Sequence, residues 1–352
     1  MLPMSPLLFL PLGAFIATVV FHLLALKFFP RLGLLDFPQR YGLSRRRLPY
    51  PTGVLAVLIF LMFFPFLFPL SFSLQTGTLL AGIILLGVTS FIDDRIPLPP
   101  ILRLGVQLLI GILVFLGGTR IYTLTNPLEQ LTTIPFLPLD TLTIAVPPFG
   151  LVPVLSGIFT IVWLLLTINA LNWFDGIPGQ VSALSAIAFL TIGLLSWSSR
   201  VDDPQLALIA FTLAGVGLGC FLFDLPPPRV VLGDTGAMFF GLMIGVLTIY
   251  SGGKVATAFL VLGVPLFDVL FVVIRRLARG QSPLRGNATD QHLHHRLLRK
   301  GWSPRQVIAL TVGLGTAFGI TALFLNTFEK FLAALMLLCV MLALSLYSKP
   351  QP

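Results

Sequence analysis

Asn169-Ala-Leu-Asn-Trp-Phe-Asp-Gly-Ile-Pro-Gly179 is polar, turn-prone and carboxylate-bearing, yet it lies between two long apolar runs, residues 154–168 and 181–197. A chain leaving a membrane helix must hydrogen-bond its backbone or meet water. Asn169 and Asn172 are able to cap and bridge, and Gly176 and Gly179 permit turns. A plain helix-connecting loop would account for these residues taken alone. What the other loops carry decides between that reading and a functional one.

The whole chain follows the same pattern of apolar runs broken by short polar segments. Its 352 residues are 56% hydrophobic and only 10% charged, with a mean hydropathy of +0.98. Soluble chains carry about 25% charged residues, and a span needs about 20 apolar residues. The sequence therefore predicts an all-α polytopic membrane protein, a single integral domain over 1–352. About eleven transmembrane helices are expected, near 7–28, 52–70, 75–92, 101–118, 154–171, 180–197, 205–223, 235–251, 255–275, 306–325 and 328–346. Residues 1–6 have no basic region and no small-residue cleavage pattern follows, so 7–28 reads as the first span rather than a signal peptide. Cys220 and Cys339 lie in apolar runs and read as small core hydrophobes. A net charge of +9 reflects topology and anionic ligands rather than nucleic acid.

Of the 22 Lys and Arg residues, all but Arg120, Arg200, Lys254 and Lys330 fall on one set of alternate loops and span ends. Lys and Arg concentrate in cytoplasmic loops. This puts the N-terminus outside, the C-terminus in the cytoplasm, and the protein in the inner (plasma) membrane. The cytoplasmic loops are then about 29–51, 93–100, 169–179, 224–234 and 276–305. Outside, 119–153 alternates apolar and polar residues, in Ile121-Tyr-Thr-Leu-Thr125 and Leu139-Asp-Thr-Leu-Thr-Ile-Ala-Val146, which predicts a short external β-hairpin.

The cytoplasmic loops hold the candidate chemistry. Asp93-Asp94 ends the third span, where adjacent carboxylates repel unless a cation or a function holds them; Arg95 is the structural alternative. Asn172 and Asp175 end the fifth span. Leu232-Gly-Asp-Thr-Gly236 opens the eighth, where Asp234 reads either as a helix cap or as a ligand beside an amide-rich helix end. Carboxylates and amide oxygens on one membrane face suit Mg²⁺, which shares its shell with substrate phosphates, and Mn²⁺ can replace it. Asp290-Gln-His-Leu-His-His-Arg-Leu297 gathers His292, His294 and His295, three of the four histidines. Beside Arg296, Arg299 and Lys300 they suit phosphate oxygens, since zinc would want cysteines or an HExxH pattern. His22 reads as a packing residue. Asp268, inside the ninth span, is either functional or paired with Arg275 or Arg276.

Asp93-Asp94, Asn169-x-x-Asn172-x-x-Asp175-Gly176, Gly233-Asp234-x-Gly236 and His292-x-His294-His295, in that order, resemble the polyprenyl-phosphate N-acetylhexosamine-1-phosphate transferase family, a glycosyltransferase family 4 type. The resemblance runs from about residue 32 to 302. Within it, His-x-His-His-Arg-Leu resembles the branch acting on UDP-GlcNAc or a related UDP-N-acetylhexosamine; the alternative is the phospho-MurNAc-pentapeptide branch of peptidoglycan synthesis. The resemblance implies transfer of HexNAc-1-phosphate to undecaprenyl or another polyprenyl phosphate, giving lipid-PP-sugar and UMP and initiating a cell-envelope glycan. It implies catalytic roles for Asp93, Asp94, Asp234, His292, His294 and His295. Substrate contacts would come from Asn169, Asn172, Asp175, Arg103 and Arg296, and Mg²⁺ ligands from Asp234, Asn172 and Asp175. Asp93 and Asp94 would face the lipid phosphate, with Asp93 placed to remove its proton, and the histidines and Arg103 would hold phosphate oxygens. A single displacement and a route through an aspartyl-phosphate both remain open, and a homodimer is allowed.

Several positions depart from the family pattern. The first cytoplasmic loop, Arg40-Tyr-Gly-Leu-Ser-Arg-Arg-Arg-Leu-Pro-Tyr-Pro-Thr-Gly53, lacks the family histidine, and Val54 replaces a second glycine. Arg103 replaces a lysine, Pro178 and Gln180 replace Asp and Leu, and Ala237 replaces Ser. These changes bear on nucleotide-sugar specificity, while the core carboxylates are kept. A transporter would instead place polar residues near the midplane of several spans, and a scaffold would need no clustered Asp, Asn and His.

Overall fold

The computed structural model describes residues 4–38, 45–68, 73–252, 255–282 and 292–349. In chain order the first helices are α1 (Met4–Phe28), α2 (Gly53–Leu67), α3 (Leu74–Arg95) and α4 (Pro100–Leu116). Next come strand β1 (Thr123–Thr125), the one-turn helix α5 (Glu129–Thr132), and strands β2 (Phe136–Pro138), β3 (Thr143–Val146) and β4 (Gly150–Pro153). Helices α6 (Val154–Phe174), α7 (Gln180–Trp197), α8 (Pro204–Asp224) and α9 (Asp234–Tyr250) follow. The chain closes with α10 (Val255–Val261), α11 (Gly263–Ala278), α12 (Leu293–Arg299), α13 (Pro304–Phe324) and α14 (Thr327–Tyr347).

The protein is a polytopic helical membrane protein. Each of the eleven expected spans falls on a helix, but length and composition qualify seven as full crossings, or eight when α10 and α11 count as one. The other three, α2, α4 and α9, are shorter apolar helices, so eleven full crossings is more than helix length alone supports. Polar caps set where several helices start. Ser73 accepts from Thr76 N, Asp203 accepts from Leu206 N, and Ser303/Gln306 and Asn326/Glu329 form reciprocal capping boxes.

The expected single hairpin is instead two separate two-stranded sheets. Thr123–Thr125 pairs with Phe136–Pro138, and Thr143–Val146 pairs with Gly150–Pro153, all antiparallel. The two alternating stretches seen in the sequence therefore do not pair with each other; each finds a nearer partner. Cys220 is buried as expected, whereas Cys339 is exposed on α14. His22 packs as expected, stacked on Phe223 with a ring separation of 5.1 Å and bonded to the Thr18 carbonyl.

Helix α9 is buried almost all round, as befits a helix apolar on every face. It packs against α2, α3, α6 and α7. Its small residues make this possible. A Cβ on Gly241 would lie 2.6 Å from the Thr167 carbonyl oxygen, and one on Gly245 would lie 2.6 Å from Thr167 Oγ1, both on α6. Trp163 Nε1 donates to the Gly245 carbonyl across the same seam. Glycines at this spacing let two membrane helices approach at backbone distance. At the other side of α9, Gly236 meets Gly53 of α2 backbone to backbone.

α10 and α11 make a single apolar stretch bent by 82°. Pro265, in the first turn after the bend, has no N–H to offer the preceding turn, and Gly263 leaves room for Leu337 of α14. The bend turns α11 so that Asp268 faces the segment leading into α12.

A side chain at position 53 has no space. We expect Gly53→Ala to cost about 1–3 kcal/mol, the usual range for overpacking. A fall in the midpoint of thermal unfolding in detergent checks this.

Candidate active site

Five distant parts of the chain meet at one end of the bundle: the last turn of α3, the first turn of α4, the α6–α7 loop, the first turn of α9, and the segment opening α12. Asp94 has the most partners. Its Oδ1 accepts from Tyr50 Oη at 2.6 Å and from the Asp234 backbone N–H at 2.9 Å. Its Oδ2 accepts from the Thr235 N–H at 3.0 Å and from Thr235 Oγ1 at 2.5 Å. Asp94 thus satisfies the first amides of α9 from another helix, and places its negative charge at the positive end of the α9 dipole. Gly233 (φ 81°) makes the approach to α9; a Cβ there would lie 2.9 Å from Asp94 Oδ2 and 2.8 Å from Pro51 Cβ. Tyr50 is held over Asp94 because its loop pairs with the segment before α9, through Val231 N to the Pro49 carbonyl and Gly53 N to the Leu232 carbonyl.

Asp93, buried, accepts from Leu98 N at 2.6 Å and from Arg103 of α4 at 2.6 Å. The same Arg103 nitrogen reaches Asp234 Oδ2 at 3.2 Å. One guanidinium therefore bridges two carboxylates. Asp234 is the more open of the two, with its side chain 31% exposed against 6% for Asp93. Arg95, the structural alternative for the pair, instead donates to the carbonyls of Gly33 and Leu35.

From α6, Asn172 faces Asp234, but its Nδ2 lies outside hydrogen-bonding geometry and is buried without a partner. Asp175 follows at the helix end, partly buried. Dehydration, then the charges of Asp234, Asp224 and Asp94, push its carboxyl well above the usual range. Asn169 bonds to Gln107 Oε1 of α4 at 2.6 Å and to the Leu165 carbonyl at 2.8 Å, so it holds α6 against α4.

The histidines lie against this loop. A Cβ on Gly176 would collide with His294 Nε2. His294 is 2% exposed, makes an edge contact with Phe174, stacks on His292 and lies tilted against His295. Burial, then the neighbouring His295 and His292, hold its pKa well below the ordinary histidine value, so the ring is neutral. Neither of its nitrogens has a hydrogen-bond partner, nor does His292 Nε2. Buried polar atoms are costly to leave unpaired, and three in one cluster mark a place built for a ligand or water.

Arg296 corrects a sequence expectation. Expected on substrate, it bonds to the carbonyls of Ser345 and Ser348 at the end of α14. Its role here is to anchor α12. Asp290 and Gln291 of the histidine motif, and residues 39–44 of the first loop, lie outside the described residues. Among the described residues no three His, Cys, Asp or Glu side chains converge on a cation position.

Sequence reasoning missed Tyr50, Thr235, Gln107 and the Asp224–Ser182 pair, in which the serine Oγ lies 2.8 Å from both carboxylate oxygens. Gln107 did carry a signal, as a lone amide inside an apolar span. Tyr50 carried none beyond its flanking prolines.

Two outcomes follow from this geometry. Gly176→Ala should displace His294 and reduce turnover by about 100-fold, the cost of a misplacement of order 1 Å; steady-state kinetics checks it. Asp175 has a raised folded-state pKa, so it favours the fold while protonated, and that contribution is lost as pH rises through the folded value. Asp175→Asn should therefore flatten the fall in melting temperature as pH rises above the ordinary carboxylate range, while reducing activity. Melting curves of both proteins across pH check it.

The sequence model described as "Glycosyl transferase family 4" matches residues 76–252, half of the chain. The chain is 33% identical over 178 residues to the probable undecaprenyl-phosphate N-acetylglucosaminyl 1-phosphate transferase of Bacillus subtilis (strain 168), a match covering 48% of each chain. It therefore spans about half the length of that relative. It is 27% identical over 277 residues to the undecaprenyl-phosphate alpha-N-acetylglucosaminyl 1-phosphate transferase of Escherichia coli (strain K12), covering 74% of this chain and 69% of that one. With the Salmonella typhi protein of the same name it is 27% identical over 352 residues, 96% of this chain and 88% of the other. The matched segment contains Asp93, Asp94, Arg103, Asn172, Asp175 and Asp234, the groups that meet at the end of the bundle, and the chain belongs to glycosyl transferase family 4.

Proposed function

We propose that the protein transfers N-acetylhexosamine-1-phosphate, specifically GlcNAc-1-phosphate, from a UDP-sugar to a polyprenyl phosphate, releasing UMP. One observation carries this reading. Groups suited to phosphate chemistry, distant in sequence, converge at one end of an otherwise apolar bundle, where a lipid phosphate and a soluble nucleotide can meet. The names of the relatives agree with it. The distribution of Lys and Arg supports placing that end on the cytoplasmic face of the inner membrane.

Both substrates are anionic, so their mutual repulsion is the first barrier. Arg103 supplies a fixed positive charge between Asp93 and Asp234, ready for the transferring phosphoryl group. The unpaired imidazole nitrogens would line the substrate cleft. Both Asp93 oxygens are engaged. A phosphate monoester has a second pKa near 6, so the lipid phosphate is already largely dianionic near neutral pH. We therefore assign Asp93 to holding Arg103 rather than to removing a proton, and Asp94 to holding the start of α9. The open Asp234, with Asn172 and Asp175, fits Mg²⁺, which takes one or two protein carboxylates and completes its shell with water and substrate phosphates. When bound, the ion would neutralise the diphosphate.

Purified protein given polyprenyl phosphate, Mg²⁺ and a panel of UDP-sugars should release UMP, fastest with UDP-GlcNAc. Asp234→Asn should lower the rate by at least about 100-fold. No UMP from any sugar, or full activity in the variant, would overturn the proposal.

A further inference from the structure

Asp268 belongs to none of the motifs above, yet the bend between α10 and α11 brings it onto His292. Its Oδ2 lies 2.8 Å from His292 Nδ1, and its Oδ1 accepts from the Leu293 N–H at 2.8 Å. Both side chains are almost fully buried, at 3% and 5% exposure. The guanidinium groups of Arg275 and Arg296 lie near the carboxylate, and both of its oxygens face nitrogen atoms. An ionised carboxylate only accepts hydrogen bonds. The hydrogen between Asp268 and His292 must therefore sit on Nδ1. The ring is held in place by Trp173 edge-on at 5.8 Å and by His294 stacked at 5.6 Å with 12° between planes. Its remaining nitrogen, Nε2, is buried and has no partner.

We propose that Asp268 is a positioning residue that locks His292 as the Nδ1–H tautomer, so that Nε2 faces the substrate cleft as a hydrogen-bond acceptor. The partner of a neutral His292 is then a hydroxyl or N–H of the nucleotide sugar, not a bare phosphate oxygen. This changes the role expected of His292 from its sequence. The assignment to a nucleotide sugar rests on the proposed transferase function; the tautomer does not.

Asp268→Asn tests both parts. The asparagine oxygen still accepts from Leu293, while its amide now donates to Nδ1 and moves the ring hydrogen to Nε2. In ¹⁵N-histidine-labelled full-length protein there are four histidines to resolve, and His292→Gln identifies the signal of interest. The wild-type protein should show His292 with hydrogen on Nδ1 and a bare Nε2, and Asp268→Asn should show the reverse. A wild-type ring with hydrogen on Nε2 overturns the proposal, and this spectrum decides even if the variant does not fold or the transferase reading fails. In the kinetic arm, Asp268→Asn should lower kcat/KM by about 10- to 100-fold, the range seen when the orienting partner of a metal-bound histidine is changed, with an unchanged melting temperature. In a His292→Gln background it should add no further loss. A full additional loss there would show that Asp268 acts other than through His292, and would overturn the positioning role.

Discussion

The site depends on how the first turn of α9 is satisfied. The first amide groups of a helix have no partners within it, and those of α9 that are buried need one from elsewhere in the chain. Asp94 meets two of these amides and the Thr235 hydroxyl, with Tyr50 on the same carboxylate. The bond pattern fixes α9 along its axis relative to α3 and the first loop. Asp234, the residue donating one of those amides, is thereby placed against Arg103, and Arg103 against Asp93. Position and charge balance come from one arrangement: three carboxylates around one guanidinium are held apart by what each of them binds.

The second fixed relation is between α9 and α6. Gly241 and Gly245 bring the two backbones together along the middle of the bundle, so the start of α9 and the end of α6 reach the surface side by side. Asp234 and Asn172 are neighbours for that reason. Lipid offers no hydrophobic drive for helix association, and close van der Waals packing takes its place. The small residues of α9 therefore serve the chemistry without touching it.

Much of this was legible in the sequence. Composition established a membrane protein, apolar runs located the helices, and polar loops supplied Asp93, Asp94, Asn172, Asp175, Asp234 and the histidines. What could not be read was the division of work among like residues. Adjacent aspartates look equivalent in sequence, yet Asp94 is saturated by the start of α9 and Tyr50 while Asp93 holds Arg103 of α4. Arg296 looked like one more phosphate ligand, but the C-terminal carbonyls of α14 claim it. The hairpin expected in 119–153 is found as two, because alternation marks strands without saying which pair; local closure gave two small sheets. The bend between α10 and α11 left Asp268 ambiguous, since its partner His292 is 24 residues away in sequence.

The contact between Gly176 and His294 joins two stretches of chain that evolution could otherwise vary separately. Gly176 lies inside the segment matched by the family model, and His294 lies beyond its end. A relative with a bulkier residue at the first position could not keep an imidazole at the second in the same place. The two positions are therefore sterically coupled. A chimaera joining the first part of one such enzyme to the last part of another must take both from the same parent or match them deliberately, however well its helices align.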